Sequence, residues 1–304
     1  MDPRVRQHAR IIVEHSIDVQ PGDEVLINPG NEAEDLVVAL VELLGEKGAF
    51  PILFPQPDRA NRAFMRAMEP DDYEAVPATL DAMVENADAS ISITADRNTH
   101  ETSDVPPEKN SAFLKLLQPV QAKVMDKPWV GTQYPASGNA QDAEMSTEAY
   151  EEFVWNAINK DWDEQREFQA NLVDILDGAD EVRIVSGDTT DLRMSIDGMI
   201  PANDYGEKNL PGGEVYTAPV PDSVEGEVLF DMPLMAQGRE VQDVYLRFEE
   251  GEVVEHSAEK NEDVLSAVLD TDEGARRLGE LGIGMNRDID QFTYNMLFDE
   301  KMGD

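Results

Sequence analysis

Apolar positions recur along the chain with two different periods, and the change from one to the other divides it. Arg4 to His15 carries Val5, Ile11 and Ile12 at helical spacing, and the Pro21-Gly22-Asp23 turn then leads into the apolar run Val25-Leu26-Ile27, which predicts a strand. Glu32 to Glu46 presents Leu36, Leu40, Leu43 and Leu44 on one face and stops at Lys47-Gly48, before the short run Phe50 to Phe54. That is a βαβ unit. Helical segments Arg59 to Met68 and Ala78 to Asn86 precede the alternating strand Ala89 to Ile93, and a third cycle runs from Pro107 through Leu117 to a strand around Trp129-Val130-Gly131. Strands alternating with helices predict a parallel sheet flanked by helices.

Ser146 to Leu176 reads as two successive acidic helices, with Tyr150, Phe153, Val154 and Ile158 on one face of the first and Phe168, Leu172 and Ile175 on one face of the next. Beyond them the period shortens. Val182 to Val185, Leu192 to Ile196, Glu227 to Phe230, Val241 to Phe248 and Val253-Val254 are separated by Gly187-Asp188 and Glu250-Gly251 turns, which are antiparallel hairpin signals. The expected architecture is therefore α/β in two domains. An N-terminal parallel-sheet domain covers 1–180, and an α+β domain rich in antiparallel strands covers 181–304. No internal repeat and no low-complexity linker interrupts them.

Composition narrows the partners. The 304 residues hold 64 Asp and Glu against 24 Lys and Arg, a formal charge of −40, with four His and no Cys. Nucleic acids and anionic membrane surfaces are held by cationic groups, so neither is expected as a partner. No apolar run approaches the roughly 20 residues of a spanning helix, and the start MDPRVRQHAR lacks a signal-peptide core, which predicts a cytoplasmic protein. Apolar residues make up 41% and the periodic segments run throughout, so the acidity is not that of a disordered chain. With Lys scarce and carboxylates covering helix faces such as Glu144 to Glu152 and Asp161 to Glu167, compactness requires salt to screen self-repulsion. We expect a halophilic protein.

Without Cys, a metal must be held by oxygen and imidazole. No G-x-S-x-G is present for a serine triad. His8 and His15 sit seven apart in the first helix, where packing explains them; His100 falls in a polar loop and His256 at a hairpin-to-helix junction, where solvation does. The glycines 279, 282 and 284 are in the wrong order for a dinucleotide fingerprint and read as a turn. Ser186 to Asp191 offers backbone N–H groups to an anion, but a hairpin turn accounts for it. Three carboxylates stand in unusual company: Glu214 after Asn209-Leu-Pro-Gly-Gly213 and before the β-prone Val215-Tyr216-Thr217; Glu280 between two glycines in a segment too apolar for surface decoration; and Glu300 after Leu297-Phe298-Asp299.

The surrounding words, in this order, resemble the thermophilic aminopeptidase family of metallopeptidases: Val182 to Leu192, Asn209 to Pro219, Leu278 to Gly284 and Tyr294 to Glu300. Pro21 to Ile27 and Trp129 to Pro135 are similar to it too, so the likeness spans nearly the whole chain. The resemblance implies a metal-dependent aminopeptidase, usually dimeric, that acts on peptides through two divalent ions (Co, Zn, Mn or Mg). It places metal ligands on Glu214, Glu280 and Glu300, with Glu280 as the bridge. Two close divalent ions lower the pKa of a bridging water, polarise the scissile carbonyl and receive the free α-amine. Family members continue past Phe-Asp-Glu into a segment with a His ligand and then a His and Asp pair, which this sequence lacks. The resemblance thus makes 181–304 an incomplete metallopeptidase domain in a haloarchaeal-like, truncated member with little or no peptidase activity expected. Two rivals remain: a catalytically inactive member serving as a dimerisation or binding subunit, and an α/β ligand-binding protein holding a small anion at the carboxyl edge of its parallel sheet.

Overall fold

A computed structural model describes residues 1–72, 75–236 and 239–303. The chain opens with α1 (Pro3–Ile11), capped by the Asp2 carboxylate on the Arg4 N–H at 2.8 Å, and continues as one π-helical turn, Ile12–Ser16. Then come β1 (Glu24–Asn28), α2 (Glu34–Lys47), β2 (Phe50–Leu53), α3 (Asp58–Ala67), α4 (Ala78–Asn86), β3 (Ala89–Thr94), α5 (Pro107–Met125) and β4 (Trp129–Gln133). Helix α2 ends where the sequence expects, because Gly48 takes φ +77° and turns its N–H back onto the Leu44 and Gly45 carbonyls. Helix α5 runs well beyond the expected Leu117, with Pro119 inside it. The hydrogen bond lost to the proline is offset by burying Val120 against Leu26, Val84 and Ala87.

Three short acidic helices follow: α6 (Ser137–Asp142), α7 (Thr147–Ile158) and α8 (Trp162–Asp177). The Ser146 hydroxyl caps α7 and the Asp161 carboxylate caps α8. The strand-rich part comprises β5 (Glu181–Ser186), β6 (Thr190–Ser195), β7 (Ala202–Asp204), β8 (Asn209–Leu210), β9 (Glu214–Thr217), β10 (Glu225–Phe230), β11 (Leu234–Ala236), β12 (Arg239–Val241), β13 (Val244–Glu249) and β14 (Glu252–Ser257). Helix α9 (Glu262–Leu269), β15 (Leu281–Gly284) and α10 (Met296–Asp299) complete it.

The first sheet is parallel throughout, in the order β2-β1-β3-β4-β8, and the second is antiparallel, β14-β13-β10-β6-β5. The α/β class read from the periodicity is thereby realised in both of its parts. A third sheet, β15-β9-β7, is also antiparallel, and it makes one correction: the glycine-rich stretch taken for a turn is the strand β15. Its glycines leave room for a carboxylate described below, and sequence propensity does not register that. The main apolar core lies around the parallel sheet and takes in Leu210, Ile289 and Phe298 from late in the chain; a second core gathers Leu192, Met194, Val215, Phe248 and Leu265 around the antiparallel sheets. Ser186 to Thr190 closes the β5–β6 hairpin, as read.

Candidate metal centre

Glu214 opens β9, the middle strand of the three-stranded sheet, and is buried. Its register partners are Asp204 on β7 and Gly284 on β15. The approach to it is fixed by close packing. Leu210-Pro211 is a cis peptide, and Gly213 adopts φ +114° with its α-carbon against Asn286, where a Cβ would stand 2.5 Å from the Asn286 Cβ. Asn286 is itself buried and donates its amide to the carbonyls of Ala157 (3.1 Å) and Gly212 (3.0 Å). The Gly-Gly that precedes Glu214 is thus what lets the chain pass this asparagine.

Glu280 lies immediately before β15 and is exposed, which corrects the expectation that its apolar segment would bury it. The apolar side chain beside it, Leu281, turns inward instead. The carboxylates of Glu214 and Glu280 both approach Gly282, since a Cβ there would stand 2.1 Å from Glu214 Oε1 and 3.8 Å from Glu280 Oε1. Glu300 caps the C-terminal end of α10, half-buried, in contact with the Lys301 ammonium. Lys301 is fully buried, with its Nζ 4.0 Å from Asp204 Oδ2. That oxygen is buried and has no hydrogen-bond partner among the described residues.

Four carboxylates and one ammonium therefore share one region. Burial pushes the Glu214 carboxyl up to about 7, with Glu300, Glu280 and Asp204 adding repulsion and Lys301 opposing it. Asp204 is pushed up to about 6, again chiefly by burial and against the pull of Lys301. Glu280, though exposed overall, is raised by partial desolvation of its carboxyl and by Glu300. A group of like charges raised in this way favours any additional cation, and its hard oxygen donors suit Mg²⁺, Mn²⁺ or Ca²⁺ better than softer ions. The spacing does not yet match the chemistry: among the described residues no three His, Asp or Glu side chains stand close enough together to hold a metal ion as they are. Lys301 supplies the local positive charge instead, and an ion shared with Glu300 requires that contact to open.

None of the four His belongs to this group. His8 is buried against Trp155 and Thr132, His15 reaches the Tyr205 carbonyl at 2.8 Å, His256 contacts Ser266, and His100 is exposed in its loop. The structure brings Glu214, Glu280 and Glu300 into one electrostatic group, and adds Asp204 and Lys301, which the sequence reading missed. Asp204 had no distinguishing mark among 64 carboxylates. Lys301 had one: it is among only nine lysines, three residues after the apolar Leu297-Phe298.

The family model for thermophilic metalloproteases, M29, matches residues 1–303. The chain belongs to the M29 metallopeptidase family. Within it, the chain is 27% identical to aminopeptidase 2 of Geobacillus stearothermophilus, covering 97% of this chain and 80% of that protein. A shorter stretch of 75 residues is 53% identical to aminopeptidase T of Thermus aquaticus, 25% of this chain and 18% of that one. The fold is that of AmpT from Thermus thermophilus, with a TM-score of 0.86 at 24% identity over 99% of this chain and 84% of that chain. This M29 chain is accordingly a metallopeptidase-type hydrolase, and its family implies divalent metal cofactors and a peptide substrate.

Proposed function

We propose that the chain is a metal-dependent aminopeptidase that removes N-terminal residues from peptides at a dinuclear site whose ligands include Glu214, Glu280 and Glu300. The reading is carried by one observation: within this M29 fold, β9, β15 and α10 direct these three glutamates toward the same region, two of them flanking Gly282. The metals, when bound, polarise the scissile carbonyl and activate water. The chain's own part is positional. The three-stranded sheet holds Glu214, and Asn286 fixes the Gly212-Gly213 approach to it. Exposed Glu280 presents its carboxylate on the solvent side, where a peptide can approach, and Asp204 with Lys301 forms the buried floor.

Leucine p-nitroanilide hydrolysis, measured in molar KCl after EDTA treatment and again after adding Mn²⁺ or Co²⁺, tests this directly. Metal-restored release from the free amine but not from its N-acetyl derivative is expected, at a low rate because the group contains no imidazole ligand. Equal cleavage of both compounds, or release unaffected by EDTA, would overturn it. The contact between Lys301 and Glu300, and the absence of imidazole from the group, favour a second reading as a catalytically inactive member that binds ligand or dimerises; metal binding without turnover is its signature. A homodimer, a cytoplasmic location and a division between two domains near residue 180 belong to the same proposal. Among the described residues no helix is long and apolar enough to cross a membrane.

A further inference from the structure

A cavity of about 690 Å³, lined by none of the grouped carboxylates, lies at the carboxyl end of β3. Its wall is formed by Thr94 and the loop after it, by α6 and the residues following it, by Glu240 of β12, and by the segment that leads into α10. In an open parallel sheet the carboxyl ends of the strands are where ligands bind, and the volume is that of a small-molecule site. Among the described residues no Lys or Arg lines it; Asp96, Asp142, Glu144 and Glu240 do, together with the exposed His100.

Acidity alone would say little on a surface with so many carboxylates, but two further observations single this place out. Tyr150 is buried, lines the cavity, and holds its hydroxyl beside the Asn295 amide with no hydrogen bond of good geometry. A buried hydroxyl left without a partner costs free energy that a ligand can relieve. The carboxylates of Asp142 and Glu144, moreover, have no hydrogen bond or ion pair among the described residues, unlike that of Asp96, which accepts from the Asn139 amide at 3.1 Å, and that of Glu240, which is held by Lys260. Two uncommitted carboxylates and an unpaired hydroxyl are thus collected in one concavity, with the Tyr294 ring at its side.

We propose that this cavity binds a ligand bearing a primary ammonium group, held by Asp142 and Glu144 and accepted by the Tyr150 hydroxyl. An ammonium has three donors and no acceptor, which complements the carboxylate and hydroxyl oxygens of this wall; His100 and the Asn139, Gln141 and Asn295 amides are its other polar groups. Anions, the class suggested by the sheet edge alone, are disfavoured by the same carboxylates. A free diamine and the lysine side chain of a peptide share this chemistry. The site is independent of the metallopeptidase reading, and its test uses binding and not turnover.

Calorimetric titration of the full chain in 1 M KCl, where the Debye length is about 3 Å, removes diffuse attraction to the acidic surface. Cadaverine and the N-acetylated, C-amidated peptide Ala-Lys-Ala, whose single ammonium is the lysine side chain and which an aminopeptidase cannot cleave, are the two probes, and their relative affinities separate the free-diamine source from the peptide source. Saturable binding by at least one is expected, with pentanol and glutarate silent. The pair Asp142→Asn and Glu144→Gln should weaken it by about tenfold or more, and Tyr150→Phe by several fold, with circular dichroism unchanged. Asp174→Asn with Asp177→Asn, an equal charge change on exposed positions of α8, should leave it as it was. Failure of both probes to bind, unchanged affinity in the cavity variants, or equal loss in the α8 control would overturn the proposal.

Discussion

Glu214 and Gly282 meet across β9 and β15 so closely that a Cβ on the glycine would stand 2.1 Å from Glu214 Oε1. The carboxylate occupies the space a side chain would need, so Gly282→Ala must displace Glu214 or part the strands. A loss of about 1–3 kcal/mol is expected from such overpacking, read by denaturant unfolding, together with weaker Mn²⁺ binding. Gly279→Ala, three residues away with nothing within 4 Å of its Cβ position, should change neither.

Lys301 is the buried cation beside Glu300 and Asp204. Replacing it with Met keeps the stem and removes the charge, which leaves buried carboxylates uncompensated. Stability should fall by about 3–5 kcal/mol without metal. If Lys301 stands where a divalent ion would otherwise supply charge, added Mn²⁺ should raise the melting temperature of the variant more than that of the parent.

Glu214→Gln, Glu280→Gln and Glu300→Gln keep side-chain shape and remove a ligand charge. Each should weaken Mn²⁺ binding by more than the roughly 10-fold typical of losing a supporting partner, as read by electron paramagnetic resonance of free Mn²⁺. Glu148→Gln, at an exposed position of α7, should have no effect. A glutamate whose replacement leaves affinity unchanged is not a ligand.

The charge of −40 makes stability depend on salt. Screening reduces self-repulsion and concentrated salt also strengthens apolar burial, so the unfolding midpoint followed by circular dichroism should rise between dilute buffer and about 2 M KCl. An unchanged or lower midpoint would contradict the halophilic reading.

His8 links pH to folding. Thr132 donates its hydroxyl to the Leu210 carbonyl at 2.7 Å, so its oxygen accepts from His8 Nε2–H at 2.8 Å, and Nδ1 is left buried without a partner. Burial pushes the ring down to about 3 from an ordinary 6.5. The unfolded chain therefore binds the proton more readily, and the stability this histidine contributes is complete above about pH 6.5 and lost progressively as pH falls toward 3. His8→Gln, which still donates to Thr132 and cannot become charged, should flatten that part of the stability–pH curve.

Much of this molecule is legible along the chain. The order β1, α2, β2, β3, β4 follows from periodicities of 3.6 and 2 and from punctuation at Pro21-Gly22 and Gly48, because burying one face of each element imposes those spacings locally. Glu214, Glu280 and Glu300 stood out through their turn-rich or apolar neighbours. The exposure of Glu280 did not, since which side of β15 faces the core is decided by pairing with β9. Neither did the roles of Asp204, Lys301 and Tyr150, although Lys301 is one of nine lysines and Tyr150 shares an apolar helix face with Phe153 and Val154. Their significance lies in burial and in distances to residues remote in sequence, such as the 4.0 Å between Lys301 and Asp204. A carboxylate in the sequence has the same chemistry everywhere; only packing removes its water and chooses its neighbours, and that was decided by the tertiary structure.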